Sequence, residues 1–320
     1  MDAELTLGTG PVFMCSGQGS QKPGMGADLM GNAQVKQVFE CASDIFGRDI
    51  AKLCTDSTPE ELNDTRNAQA AISALSIGIA RALMARGVEP CAVLGFSLGQ
   101  ISALAVSGMV SDEVAFRIVA ERSRVMGAAA DAHPGVMSAF LKGDLTSVQA
   151  VCDECAQGQV LVPANLNCPG QIVVAGEPAA VCRAEAAWKA QGKRASRLAT
   201  SGAFHSPLMR DAAQPFAEFL EGIDFNEATY PLICNVDAKP LAAADARAHL
   251  VAHLTNPVRF EESVRMLAAH MDAPAFVEVG FGGVLEGLVR RIDKEYSRAC
   301  VKDAATLEDY CAAHSQSKEA

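Results

Sequence analysis

Gly95-Phe96-Ser97-Leu98-Gly99 is the stretch of this chain best suited to covalent chemistry. It lies between an apolar run at 91–94 and an Ala/Leu-rich run at 101–106, which Gly108 closes. That order predicts strand, sharp turn and helix, the setting in which the serine of a G-x-S-x-G match sits on an elbow with its oxygen exposed. The glycines remove side chains that would strike the strand and the helix. Such a hydroxyl lies near the positive end of a helix, and the N–H of Leu98 can donate to a developing oxyanion. A serine nucleophile also needs a base. Of the six histidines, His249, His253 and His270 fall in helical patterns, His133 at a helix break and His314 in the tail. His205 alone combines a loop position with a helix start at Pro207 and an apolar neighbour, Phe204, which makes it the candidate base. A structural turn at 95–99 and a structural histidine at 205 are the competing readings.

The elements that must position these groups follow from periodicity. Residues 11–14 read as a strand, followed by the loop Ser16-Gly17-Gln18-Gly19-Ser20-Gln21, where glycines on both sides of Gln18 let its backbone approach a ligand. Helical patterns cover 27–46, with a break, and 67–86. The next helix opens at Ser111-Asp112-Glu113, an N-cap with acids in its first turn, and His133-Pro134-Gly135 stops it. Arg117, Arg122 and Arg124 interrupt its apolar face. From 136 to 198 the pattern reads strand, helix, strand, strand, helix, strand, the order of a split β-α-β unit. The fold expected is α/β: an α/β-hydrolase-like large domain with a parallel sheet and nucleophile elbow, residues 1–132 and 199–320, plus an inserted small ferredoxin-like (βαββαβ) subdomain at 133–198. Strands at 231–236 and 275–279 and helices at 241–254, 260–270 and up to Arg291 complete the large domain, and the polar tail after Asp303 is expected to fray.

Composition narrows the classes. With 320 residues, 49% hydrophobic and 20% charged, the chain can bury a sizeable core. A net charge of −11 argues against nucleic acid or an anionic membrane as partner. The N-terminus lacks the basic start and apolar core of a signal peptide, and no apolar run approaches the ~18 residues of a spanning helix, the best candidate, 71–85, being broken by Arg81. Eleven cysteines without a secretory signal read as reduced thiols in a cytoplasmic protein. Cys152 and Cys155 have zinc-like spacing but no second pair, and are read as one helix face; no metal and no cofactor is implied.

Seven ordered segments together resemble the malonyl-CoA:acyl carrier protein transacylases and the acyltransferase domains of polyketide synthases. They are Gly17-Gln18-Gly19-Ser20-Gln21; Gly95-x-Ser97-Leu98-Gly99; Arg122-x-x-x-Met126; Asn167-x-Pro169-Gly170-Gln171-x-x-x-x-Gly176; Gly202-x-x-His205-Ser206; Asn256-Pro257-Val258-Arg259; and Glu278-Val279-Gly280. The resemblance implies that Ser97 holds a malonyl ester, that His205 shuttles the proton, and that the N–H groups of Gln18 and Leu98 bind the oxyanion. It further implies that a backbone carbonyl in His253–Asn256 orients His205 in place of an acid, and that Arg122 binds the malonyl carboxylate. Gln69 falls at the family's pocket-lining glutamine, and the bulk of Phe204 matches malonyl-selective members. The implied partners are malonyl-CoA and an acyl carrier protein, with no nucleic acid, no membrane and a monomeric enzyme of fatty-acid synthesis; a polyketide-pathway acyltransferase and a serine thioesterase or hydrolase are the alternatives. A carrier protein, itself acidic, would need a basic patch, for which Lys189, Lys193, Arg194 and Arg197 are the densest cluster. Three positions depart from the family: Phe96 stands where histidine is usual, Gln100 where glutamate is usual, and Phe281 where proline is usual.

Overall fold

The computed structural model describes residues 5–319. The chain opens with β1 (Val12–Cys15), whose four residues are all buried. The next helices each start where a short polar side chain can cap free N–H groups. Asn32 caps α1 (Ala33–Phe46), Asp49 caps α2 (Ile50–Asp56), Thr58 caps α3 (Pro59–Asn63) and Asp64 caps α4 (Thr65–Ala85). By length and composition α4 could cross a membrane, but 83% of its apolar window is buried inside the fold. A helix apolar over most of its length belongs at the centre of a core, and the cation within its apolar run is accounted for: Arg81 pairs with Asp112 at 2.7 Å and donates to the carbonyl of Ala105.

β2 (Ala92–Gly95) leads through the turn at Ser97 into α5 (Gly99–Val106), and Ser111 caps α6 (Asp112–Ala132). Then come β3 (Val136–Leu141), α7 (Leu145–Ala156), β4 (Leu161–Cys168), β5 (Gln171–Gly176), α8 (Pro178–Ala190) and β6 (Arg194–Arg197). These four strands form an antiparallel sheet of order β4-β5-β3-β6. Cys152 and Cys155 of α7 are both buried in the core beneath it, with Phe140 and Trp188 stacked 5.0 Å apart.

The remaining elements are α9 (Arg210–Glu221), β7 (Leu232–Ile233), α10 (Ala243–Ala252), α11 (Phe260–Ala268), β8 (Ala275–Val279), α12 (Val284–Ile292), β9 (Ser297–Val301) and α13 (Ala304–Glu319). β7, β2, β1, β8 and β9 make a five-stranded sheet in that order, parallel throughout. Its register aligns Cys15 with Gly95 on one side and with Val279 on the other. The loops that leave β1, β2 and β8 therefore emerge side by side at one edge, the carboxyl edge where parallel sheets bind ligands.

Two expectations need correction. The strand expected at 231–236 is only Leu232–Ile233, because the chain turns back at once: Cys234 N–H donates to Lys239 O and Leu241 N–H to Leu232 O. The tail beyond Asp303 does not fray, since it forms α13, which β9 precedes as an unforeseen edge strand. Asp303 accepts from the N–H of Thr306, Asp28 accepts from that of Ala304, and Leu307 and Cys311, one turn apart, are each 2% exposed. Truncating a buried leucine loses transfer free energy and leaves a cavity, at about 2–5 kcal/mol. Leu307→Ala is therefore expected to lower the unfolding free energy by that amount, read as a lower urea midpoint with little change of slope; an unchanged midpoint would mean that the helix is not docked.

Candidate active site

The elbow is built by exclusion. A Cβ on Gly95 would collide with the backbone N of Gln100, and one on Gly99 with the carbonyl of Cys15. Only glycine lets β2, α5 and β1 approach so closely. Between them Ser97 is held at φ 53°, a left-handed conformation that costs a non-glycine residue on the order of 1–3 kcal/mol and must be imposed from outside. Asn235 imposes it. Its Oδ1 accepts from Ser97 N–H at 2.8 Å and its Nδ2 donates to Gly95 O at 2.7 Å, so one side chain clamps both sides of the turn. Gln100 in turn fixes Asn235: its Oε1 accepts from Asn235 N–H at 2.8 Å while its Nε2 faces Cys234 Sγ. An amide serves both directions, whereas a carboxylate could only accept.

His205, also left-handed at φ 58° and 2% exposed, places Nε2 2.7 Å from Ser97 Oγ. Its Nδ1 lies 2.9 Å from the carbonyl oxygen of His253. A carbonyl only accepts, so Nδ1 carries the proton and Nε2 is left to accept from the serine hydroxyl. His253 is the C-cap of α10, and its carbonyl belongs to the partially negative end of that helix. Burial, then the charge of Arg122, lowers the His205 pKa to about 4, against a smaller opposing effect from the backbones of His253 and Asn256. The imidazole is thus neutral at neutral pH, the form a base requires. His253 packs its own ring 4.9 Å away and is likewise held neutral by burial.

Arg122 is the unusual member. It lies on α6 between Ile118 and Met126, one turn away on each side and both buried, so the apolar face of the helix carries a guanidinium into the interior, where it is 2% exposed. Its Nη1 donates to Gln69 Oε1 at 2.8 Å and its Nη2 reaches Ser97 Oγ at 3.4 Å, both neutral partners. No carboxylate pairs with it among the described residues, and burial lowers its pKa to about 10, which leaves it charged. Gln69 was expected to line the cavity; instead it stands behind Arg122 and fixes the guanidinium.

These groups face a cavity of about 220 Å³ whose lining includes Gln18, Ser97, Leu98, Arg122, Phe204 and His205, with Asn165, Asn167 and Gln171 reaching in from β4 and β5. The main-chain N–H groups of Gln18 and Leu98 donate to no other protein group among the described residues. Glu278, fully buried, ties down the loop that carries Gln18. It accepts from Ser16 Oγ at 3.0 Å and from the N–H of Glu286 in α12, and burial raises its pKa. A wider cavity of about 720 Å³ adjoins through Gln18, Phe96, Leu198, Thr200 and Val284, and Phe96 fills its corner against Phe260, edge to face at 5.5 Å. A separate groove of about 810 Å³ runs between Lys142–Ser147 and Glu261–Arg265 and contains none of these groups. Asn256, exposed, contributes only backbone near His205. Sequence reading missed Asn235 and gave no role to Asn165 or Asn167; the available signal was a polar residue directly after a strand whose end meets the elbow.

A family model described as the acyl transferase domain matches residues 12–309. Curated relatives include the malonyl CoA-acyl carrier protein transacylases of Bacillus subtilis, 37% identical over 93% of this chain and 95% of the relative, and of Escherichia coli K12, 40% identical over 92% and 97%. Among solved structures, a malonyl-CoA:acyl carrier protein transacylase from Xanthomonas oryzae superposes with a TM-score of 0.92 at 37% identity, covering 97% of this chain and 99% of that one. A malonyl-transacylase in complex with a type II polyketide acyl-carrier protein gives 0.91 at 40% identity, covering 95% and 99%.

Because the His205 pKa is depressed, the free base is present above about pH 4 and is lost below it. The rate at which a neutral serine-directed fluorophosphonate labels Ser97 should rise through that pH and be flat from 6 to 8; a midpoint near the ordinary histidine value of about 6.5 would contradict the burial argument. The same shift makes the unfolded state bind the extra proton between about 6.5 and 4, so stability should fall as pH drops through that window. Asn235→Ala should slow labelling at least tenfold in a chain that remains folded by circular dichroism; unchanged labelling would show that the elbow holds itself.

Proposed function

The chain belongs to the acyl transferase family, and from that premise we propose that Ser97, His205 and Arg122 move a malonyl group from malonyl-CoA to the phosphopantetheine thiol of an acyl carrier protein through a serine ester. The enzyme is an acyltransferase with those two substrates. The observation that carries the residue roles is the buried, carboxylate-free guanidinium of Arg122 beside the Ser97–His205 pair.

Ser97 gives its proton to His205 Nε2 as Oγ attacks the thioester carbonyl. The N–H groups of Gln18 and Leu98 receive the negative charge that forms on the carbonyl oxygen. Collapse breaks the C–S bond, and the imidazolium returns its proton to the departing coenzyme A thiolate. The carrier thiol then repeats the cycle: His205 takes its proton, sulfur attacks the ester, and Ser97 leaves with the proton restored. The carbonyl of His253 keeps Nδ1–H in place through both halves, which is most of what an acidic third member supplies.

Arg122 receives the malonyl carboxylate, for which the fork of a guanidinium is suited and an ammonium is not. A charge-assisted hydrogen bond of about 1.5–3 kcal/mol corresponds to a preference for malonyl over acetyl of about tenfold or more. The bulk of Phe204, against the cavity beside His205, disfavours a branched α-carbon. A hydrolase needs no buried guanidinium, which weighs against that alternative. The likeness to the polyketide malonyl-transacylase keeps a polyketide carrier as the second reading beside fatty-acid synthesis.

The strand order β4-β5-β3-β6, with α7 and α8 between its strands, supports reading 133–198 as a ferredoxin-like insertion into a hydrolase-like domain of 1–132 and 199–320. Eleven cysteines in one chain, read as reduced thiols, support a cytoplasmic setting. The described exposed large apolar side chains are Leu145, Leu198 and Val284, which supports a monomer. Of the basic cluster suggested for carrier docking, Arg197 is paired at both oxygens of Glu185 and Lys193 lies 3.8 Å over Trp188, so Lys189 and Arg194 are its exposed remainder.

Malonyl-CoA should leave a malonyl adduct on Ser97, seen by mass spectrometry and absent in Ser97→Ala; an adduct that persists would move the nucleophile elsewhere. Arg122→Ala should lower malonyl transfer at least tenfold while sparing or raising acetyl transfer. Equal losses for both acyl groups would make Arg122 structural.

A further inference from the structure

The turn that follows β7 carries three metal-ligating side chains that acyl transfer does not use. Cys234 Sγ, a carboxylate oxygen of Asp237 and a ring nitrogen of His249 all lie within 4.8 Å of one another. Cys234 is fully buried, while Asp237 and His249 are part-exposed, with side-chain exposures of 32% and 27%. The chain doubles back here, with Cys234 N–H bonded to Lys239 O, Ala238 N–H bonded to Cys234 O, and Ala238 itself left-handed at φ 57°. The side-chain amide of Gln100 faces the sulfur, with Nε2 3.6 Å away. Burial raises the Cys234 pKa, so a metal would bind this sulfur with release of its proton. His249 lacks a good partner of its own. Its Nε2 is 3.6 Å from Asp237 Oδ2, beyond hydrogen-bond length, and its Nδ1 is buried with no partner among the described residues.

We propose that Cys234, Asp237 and His249 form a mononuclear site for Zn²⁺, with water in the fourth position. One thiolate, one imidazole and one carboxylate are the donor types zinc takes in tetrahedral sites, and a set without further thiolates or thioethers does not favour Cu⁺. Zinc bonds of about 2.0–2.3 Å draw ligand atoms to within about 3.3–3.8 Å of one another. The present spacing needs a contraction of about 1 Å, which rotation of the two part-exposed side chains supplies. The location ties the site to the catalytic pair. Cys234 directly precedes Asn235, which clamps the elbow, and His249 is one turn of α10 before His253, whose carbonyl holds His205. A bound ion would pin together the two elements that hold Ser97 and His205 from behind.

Cobalt, which takes the same geometry and reports thiolate ligation by an intense near-ultraviolet charge-transfer band, is the probe. Titration of the metal-stripped full chain with Co²⁺ should give one such band per chain, displaced by Zn²⁺. Cys234→Ser should abolish the band, and His249→Gln should weaken binding at least tenfold, with folding of each variant checked by circular dichroism. If Cys234→Ser does not fold, His249→Gln, altered only at a part-exposed side chain, decides the question by its affinity. No band in the wild-type chain, a band that survives Cys234→Ser, or undiminished binding by His249→Gln overturns the proposal.

Discussion

A cation without a counter-ion sits at the centre of this molecule. Removing a guanidinium from water costs several kcal/mol, and buried charges are ordinarily repaid by a carboxylate. Among the described residues, Arg122 has only the amide oxygen of Gln69 and the hydroxyl of Ser97. The fold must therefore hold the charge by force of packing: α6 presents it between Ile118 and Met126, and neighbouring α4 supplies Gln69. Much around Ser97 follows from this one placement. It helps to keep His205 neutral, and it leaves a positive charge facing the cavity.

The catalytic geometry is held mainly by the carboxyl edge of the parallel sheet. β1 ends at the loop of Gln18, β2 at Ser97, β7 at Asn235 and β8 at Glu278, and the parallel register brings these ends together although they come from distant parts of the chain. The two clamps are of different kinds. Asn235 is a neutral amide that bonds both sides of a strained turn, while Glu278 is a buried acid that joins the loops after β1 and β8. Both are fully buried, so neither could be exchanged for an apolar residue without leaving backbone or hydroxyl groups unpaired.

What could be read from the sequence was what local chemistry dictates. Gly95 and Gly99 announce an elbow because no other residue fits, and Ser111, Asp112 and Glu113 announce a helix start by capping. His205 stood out among six histidines because it alone sat in a loop before a helix, and its ring does lie against Ser97. Arg122 needed the family resemblance, since a cation in an apolar helical stripe looks like an interruption until the facing surface is known. Gln69 likewise entered only through the resemblance, and Asn235 was missed, for the same reason: their partners are 53 and 138 residues away. The C-terminal helix was misjudged because, among its described side chains, only Leu307 and Cys311 are buried, too few for a periodic signal in a polar segment.

The missing acid behind His205 is best understood from Arg122. A carboxylate in the place of the His253 carbonyl would orient the imidazole equally well and would raise its pKa further. It would also put a full negative charge near a guanidinium in a medium where charges are poorly screened. That would partly satisfy the cation in the resting protein, and the anion that should be drawn to Arg122 would meet a weaker field. A helix C-terminus carries only about half a charge, spread over several carbonyls. It suffices to fix the tautomer and to ease formation of the imidazolium, yet leaves the guanidinium unmatched. In the proposed function the weak third member is the form of orientation compatible with an anion-binding role for Arg122, whose guanidinium lies 3.4 Å from Ser97 Oγ.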